Sequence, residues 1–254
     1  MHILVTNDDG VHAPGLLALA QAMRSLGKVT VLAPERNWSG GGHVKTLERP
    51  LRVREMRLAD GSPALASDGA PSDCVALALL GLATEKIDLV VSGINPHANF
   101  GNDVTYSGTV TAAMEAVIGG VSGIAFSLDS LLPQDQADFG PAGRIATRVA
   151  AKVLETGLPQ GVLLNVNVPA VPDADIKGFM LTRQGLRLYH DRLDTRQDPR
   201  GQPYYWIGGD FPTGVVEDGT DYGAPASGYV SITPLQLDLT AYQALETLKT
   251  WKWA

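Results

Sequence analysis

The 254-residue chain reads as an α/β protein: a three-layer, doubly wound, mostly parallel sheet followed by an extended C-terminal β-hairpin arm. Three observations carry this reading. Short apolar runs bounded by turn residues alternate with segments whose apolar residues recur at helical spacing. The first strand–helix–strand unit takes about thirty residues, the length of a right-handed βαβ crossover. From about Arg183 the helical period stops, and Gly, Pro, Arg, Asp and aromatic residues take over.

Ile3-Leu4-Val5-Thr6 forms the first buried strand and runs straight into Asn7-Asp8-Asp9-Gly10. In APGLLALAQAMRSLG, Pro14 suits a first helical turn, Leu16, Leu19, Ala20 and Met23 share one face, and Gly27 can end the helix. KVTVLAP is the second strand. TLERPLRVREMRLADGSPALAS alternates apolar and charged residues around Asp60-Gly61, as short strands or hairpins beside the main sheet. A helix is expected from about Pro71 to Leu82, then the buried strand IDLVVSG, a helix in YSGTVTAAMEAVIGG and a strand in SGIAFSLD. The long helix of FGPAGRIATRVAAKVLETG and the strand GVLLNVNVP complete a core domain over 1–182. Residues 183–254 are expected to hold the arm, a strand in GYVSITPLQLD and a closing helix in AYQALETLKTWKW.

Composition narrows the function. With 44% hydrophobic and 19% charged residues, the chain can bury a sizeable core. A net charge of −7 argues against long nucleic acid as a partner, while a small phosphate ligand remains open because one metal ion reverses the local field. The single cysteine, Cys74, lies in the apolar run CVALALLGLA and is expected to be a buried core thiol. No basic segment followed by a long apolar one opens the chain, and no apolar run reaches membrane-spanning length. A cytoplasmic protein is expected.

Ligands of an open α/β sheet bind outside the carboxyl ends of its strands. Asp8 and Asp9 follow the first strand, Asn37 and Ser39 follow the second in PERNWSGGGH, and Ser92, Asn95 and Asn99 follow IDLVV. Asn-Asp-Asp-Gly is good turn chemistry by itself. A turn, however, needs neither two adjacent carboxylates nor oxygen donors at two further strand ends. Carboxylates, a hydroxyl and amide carbonyls suit a hard divalent cation, Mg²⁺, Mn²⁺ or Ca²⁺, with Mg²⁺ or Mn²⁺ expected, and no HxxxH or CxxC pairing supports zinc. Ser107, Gly108 and Thr109 open a helix close by, where free N–H groups make an anion site, although Ser or Thr there also serves as a plain N-cap. His12, His43 and His97 fall on the same edge as candidate proton or phosphate contacts, and His2 is expected at the surface where the first strand starts. A metal beside a helix N-terminus suits hydrolysis of a phosphomonoester.

The motifs LVTNDDG, PERNWSG, SGIN with the later Asn99, YSGTV-AAMEA and GTDYGAPASGYVSITPL together resemble the SurE family of survival-protein nucleotidases, in one order along nearly the whole chain. The resemblance implies a Rossmann-like core and a metal-dependent phosphatase acting on nucleoside 5′- and 3′-monophosphates, in some members also on polyphosphate. It puts the metal ligands on Asp8, Asp9, Ser39 and Asn95, and the phosphate-side residues on Asn99, Ser107, Gly108 and Thr109. It also implies a homodimer or homotetramer built through the C-terminal hairpin. The family usually has SG-small-S where this chain reads Ser39-Gly40-Gly41-Gly42-His43, and a glycine where His97 stands. Both changes bear on loop shape and nucleotide preference and spare the implied ligands. Two other functions fit such a pocket: a nucleotide-binding sensor without turnover, and a metal-dependent transferase using a sugar nucleotide.

Overall fold

The computed structural model describes residues 1–253. Its central feature is a nine-stranded sheet whose first strand, β1 (His2–Thr6), is buried along its whole length. Because side chains alternate across a strand, Ile3 and Val5 enter one apolar cluster while Leu4 enters another on the opposite face. Helix α1 (Pro14–Met23) covers the first face with Leu16, Leu19, Ala20 and Met23, and returns the chain to β2 (Lys28–Pro34), parallel to β1.

β3 (Val53–Arg57) and β4 (Pro63–Ser67) form the expected hairpin. It extends the sheet instead of lying beside it, since β4 pairs parallel with β2. The next helix, α2 (Pro71–Leu77), is shorter than expected. Residues 78–82 widen into a π-type turn in which Gly81 takes a φ of 120°, which ends the α-helical ladder before Leu82. Cys74 is fully buried there. β5 (Leu89–Asn95) then pairs with β1 on the side away from β2. The topological switch of the sheet therefore falls between β1 and β5, the place where doubly wound sheets bind ligands.

α3 (Gly108–Ile118), β6 (Ser122–Asp129), α4 (Gly140–Thr156) and β7 (Val162–Pro169) continue the alternation. α4 packs beside α1 and α3 beside α2, so each face of the sheet carries a helical layer. β8 (Phe179–Leu181) and β11 (Val230–Gln236) complete the far edge, with β11 inserted between β7 and β8 and antiparallel to β7. Between them the chain leaves the core as a two-stranded antiparallel arm, β9 (Arg187–Gln197) and β10 (Pro203–Gly214). A short turn of helix, α5 (Gly223–Ala226), precedes β11, and α6 (Tyr242–Leu248) follows it with no buried residue.

His2 departs from expectation. It is buried, its Nε2 lies 2.8 Å from Thr30 Oγ1 and its Nδ1 3.3 Å from the Glu85 carbonyl. The parallel pairing of His2 with Lys28 brings β2 alongside, so an end-of-strand position becomes interior.

Candidate metal and phosphate site

A cavity of about 400 Å³ opens at the carboxyl ends of β1, β2 and β5, lined by Asp8, Asp9, Asn37, Ser39, Asn95 and Asn99 among others. A larger cleft of about 690 Å³ between β2 and the β3–β4 hairpin carries Thr30, Glu55 and Arg57 among aliphatic residues and gathers no comparable set of oxygen donors.

Asp8 is 3% exposed, and its surroundings hold it in place. Thr109 Oγ1 donates to its Oδ1 at 2.6 Å, and the backbone N–H groups of Gly108 and Thr109 also favour its charged form. Burial works the other way and raises its pKa above the ordinary carboxylate range. Gly108 is required by proximity: a Cβ there would lie 2.7 Å from Asp8 Cβ. The start of α3 thus turns its partial positive charge on Asp8. Of the three residues in this turn, Ser107 alone lines the cavity, and its Oγ accepts from Val110 N as a true N-cap.

Asp9 is less constrained. Its Oδ1 has only a long contact, 3.5 Å, from Asn37 Nδ2, and its Oδ2 is buried without a partner. Burial, reinforced by the charge of Asp8, pushes its pKa up to about 7. An orphaned carboxylate oxygen beside a second buried carboxylate is unfavourable without a cation and favourable with one. Ser39 and Asn95 supply further oxygens: Asn95 commits its amide nitrogen to the His97 carbonyl, which leaves its own carbonyl oxygen available. The residues present therefore fit a hard divalent cation. Among the described residues no three His, Cys, Asp or Glu side chains cluster as metal ligands, and a site completed by a hydroxyl and an amide requires no such cluster.

Asn99 is held mainly through its backbone. Its N–H donates to Asn167 Oδ1 at 2.9 Å, and its carbonyl accepts from Asn165 Nδ2 at 2.8 Å and Asn167 Nδ2 at 3.2 Å. These two asparagines alternate in NVN on β7 and face the same side. That spacing was visible in the sequence, but their partner was not. The side chain of Asn99 donates to Ser127 Oγ at 2.8 Å.

Of the candidate histidines, His97 lines the cavity, His43 lies 2.9 Å from Glu115 Oε2, and His12 is exposed outside it. Sequence reasoning missed Asp103, Tyr106 and Gln134, which complete the wall. Gln134 Nε2 is buried without an acceptor, a free donor in an otherwise oxygen-rich site. It sits in the loop LLPQDQ, where nothing in the sequence distinguishes one glutamine from the other.

The molecule is an α/β protein with a doubly wound sheet and an acidic, oxygen-rich site at its switch point. The family model described as "Survival protein SurE" matches residues 3–191, and the chain belongs to the SurE family. It is 55% identical over 254 residues to the 5′-nucleotidase SurE of Herpetosiphon aurantiacus, covering 100% of this chain and 99% of that one. It is 52% identical to the 5′-nucleotidase SurE of Chloroflexus aggregans over the full length of both chains. The crystal structure of the SurE protein from Aquifex aeolicus superposes with a TM-score of 0.81 at 42% identity, covering 98% of each chain.

Proposed function

We propose that this protein is a metal-dependent phosphomonoester hydrolase acting on nucleoside 5′-monophosphates, and also on 3′-monophosphates and short polyphosphate. Relatives at about half identity that carry the name 5′-nucleotidase support the reaction class. The observation that carries the reading to this chain is the pair Asp8 and Asp9, one clamped by Thr109 and one with a free buried oxygen, facing a cavity rich in hard donors. Asp8, Asp9, Ser39 and Asn95 would hold one Mg²⁺ or Mn²⁺ ion. Such an ion supplies neutralisation of phosphate oxygens and a more acidic water. Thr109 fixes the carboxylate plane of Asp8. Asp9 retains an oxygen that can take the proton of the water attacking phosphorus. Asn99, Gln134 and the Ser107–Gly108–Thr109 turn at the head of α3 lie on the phosphate side, as donors to it or as supports of the donors.

In the same reading, residues 1–182 carry the chemistry, and the arm within 183–254 joins subunits into a homodimer or homotetramer. No described helix is long and apolar enough to cross a membrane. The test is a phosphate-release panel on protein stripped of metal: 5′- and 3′-nucleotides, short polyphosphate and a phosphodiester, each with Mg²⁺, Mn²⁺, Ca²⁺ or Zn²⁺. Release from nucleoside monophosphates on adding Mg²⁺ or Mn²⁺ is expected. Tight nucleotide binding without release would favour the sensor, and transfer of a group without free phosphate the transferase.

A further inference from the structure

We propose that a second cavity, of about 300 Å³ and walled by Phe100, Phe211 and Tyr222, is a nucleobase subsite in which the Asp129 carboxylate selects guanine. The proposal rests on the reading of the catalytic cavity as a nucleotide site. The two cavities share His97 and Ala98 as a common wall, so a molecule anchored by its phosphate in one can extend into the other.

The lining suits a flat, polar-edged ring. Phe100 and Tyr222 pack edge to face, with centroids 5.2 Å apart, and the Arg187 guanidinium lies 5.7 Å from each ring. Phe211, on β10, is 76% exposed and lines the same cavity. Phe100 is itself buried, so Tyr222 and Phe211 are the faces on which a base can stack. Asp129, at the end of β6, is half-buried, and its carboxylate accepts no hydrogen bond from any described residue. Arg187 faces it without forming an ion pair to it, because its Nε lies 2.8 Å from Asp103 Oδ2 instead. Burial accordingly raises the Asp129 pKa, and the nearby guanidinium opposes that only in part.

A carboxylate accepts through two adjacent oxygens and donates nothing. Guanine presents N1–H and the 2-amino group side by side, two donors for two acceptors. Adenine and cytosine set one amino group next to a ring acceptor, and uracil has one N–H between two carbonyls. One well-made bidentate contact to a base discriminates by about ten- to a hundredfold.

The experiment measures kcat/KM for GMP, AMP and p-nitrophenyl phosphate, which has no base, in the wild type, Asp129→Asn and Phe211→Ala. Calorimetric titration of guanosine and adenosine into the metal-free proteins runs in parallel. The wild type is expected to prefer GMP over AMP by about tenfold or more. In Asp129→Asn the ratio of GMP to p-nitrophenyl phosphate should fall by a similar factor, with guanosine binding lost. Phe211→Ala should weaken guanosine and adenosine alike. Unaltered GMP:AMP ratio and unaltered guanosine binding in Asp129→Asn would overturn the subsite. If no protein releases phosphate from any substrate, the hydrolase reading falls, and guanosine decides alone: binding lost in Asp129→Asn supports the pocket, while absent or unaltered binding overturns it.

Discussion

Asp8 and Asp9 are neighbours in sequence with opposite surroundings. Asp8 is bonded and oriented, whereas Asp9 has a buried oxygen with no partner. Neutralising either one removes like-charge repulsion from the metal-free protein, so Asp8→Asn and Asp9→Asn should fold and melt near the wild type without metal. Both should lose most turnover. They should also lose the rise in melting temperature that saturating Mn²⁺ confers, which for a ligand at a hundred times its Kd corresponds to about 2.7 kcal/mol. Melts with and without Mn²⁺ check this, and a variant that keeps both turnover and the metal-induced shift would end the metal-site reading. Thr109→Val removes the hydroxyl donor to Asp8 and leaves a buried acceptor short of a partner, a cost of about 1–3 kcal/mol. Turnover should fall about tenfold or more with a weaker Mn²⁺ shift, and Thr109→Ser, which keeps the donor, should restore both. Equal behaviour of the Val and Ser variants would show that Thr109 acts only through packing.

At the level of elements, the site depends on how closely α3 approaches β1. Gly108 permits that approach, since a methyl group there would meet Asp8 Cβ at 2.7 Å and Pro71 Cγ at 3.1 Å. Helix propensity alone would make Gly108→Ala stabilising by up to about 1 kcal/mol. The contact distance reverses the sign: Asp8 or the helix must move, and the expected result is a lower melting temperature with at least a tenfold loss of Mn²⁺ affinity, read by calorimetry. A more stable variant with wild-type affinity would show that the helix start tolerates displacement. The other wall is set by β7 and by Asp221. Asn165 and Asn167 hold the backbone of Asn99, while the fully buried Asp221 accepts N–H bonds from Gly101 at 2.8 Å and Gly185 at 2.7 Å. The second pair of bonds links the loop after β5 to the root of the arm.

For the whole molecule, the arm is the feature a single subunit leaves unexplained. β9 and β10 pair as strands only with each other, and a lone two-stranded hairpin is marginal in water. Ile207 is 84% exposed and Trp206 64%, in a composition typical of interface centres. The intact protein should therefore scatter light as a dimer or tetramer of 26.9 kDa chains at micromolar concentration. Residues Asp191 and Gly209 face each other across the hairpin. Replacing 192–208 by Asn-Gly should close a short hairpin there and yield a smaller species with the core fold intact. Arg187 and Tyr189, which contact Asp103 at 2.8 Å and 2.7 Å, stay in place in that variant. A monodisperse monomer for the intact chain would sink the assembly reading.

Everything that rests on local pattern is legible in the amino-acid sequence. Alternating strand and helix periods specify the doubly wound sheet, because each apolar face must be buried against the next element. The same pattern puts Asp8, Asp9, Ser39, Asn95 and Asn99 at one edge, since each ends or follows a strand of a parallel sheet. The loss of helical period after Arg183 marks the arm. The partners of these groups become legible only in the folded chain. Thr109 bonds to Asp8 across 101 positions, Asn99 to Asn167 across 68, and Asp221 to Gly101 across 120. The tertiary structure also decided that β11 returns between β7 and β8, that His2 is interior, and that Asp129 and Arg187 face one cavity. The physical reason is common to all of these. Periodicity and turn chemistry act over a few residues, whereas a hydrogen bond between distant groups exists only once the order of strands has brought their backbones within reach.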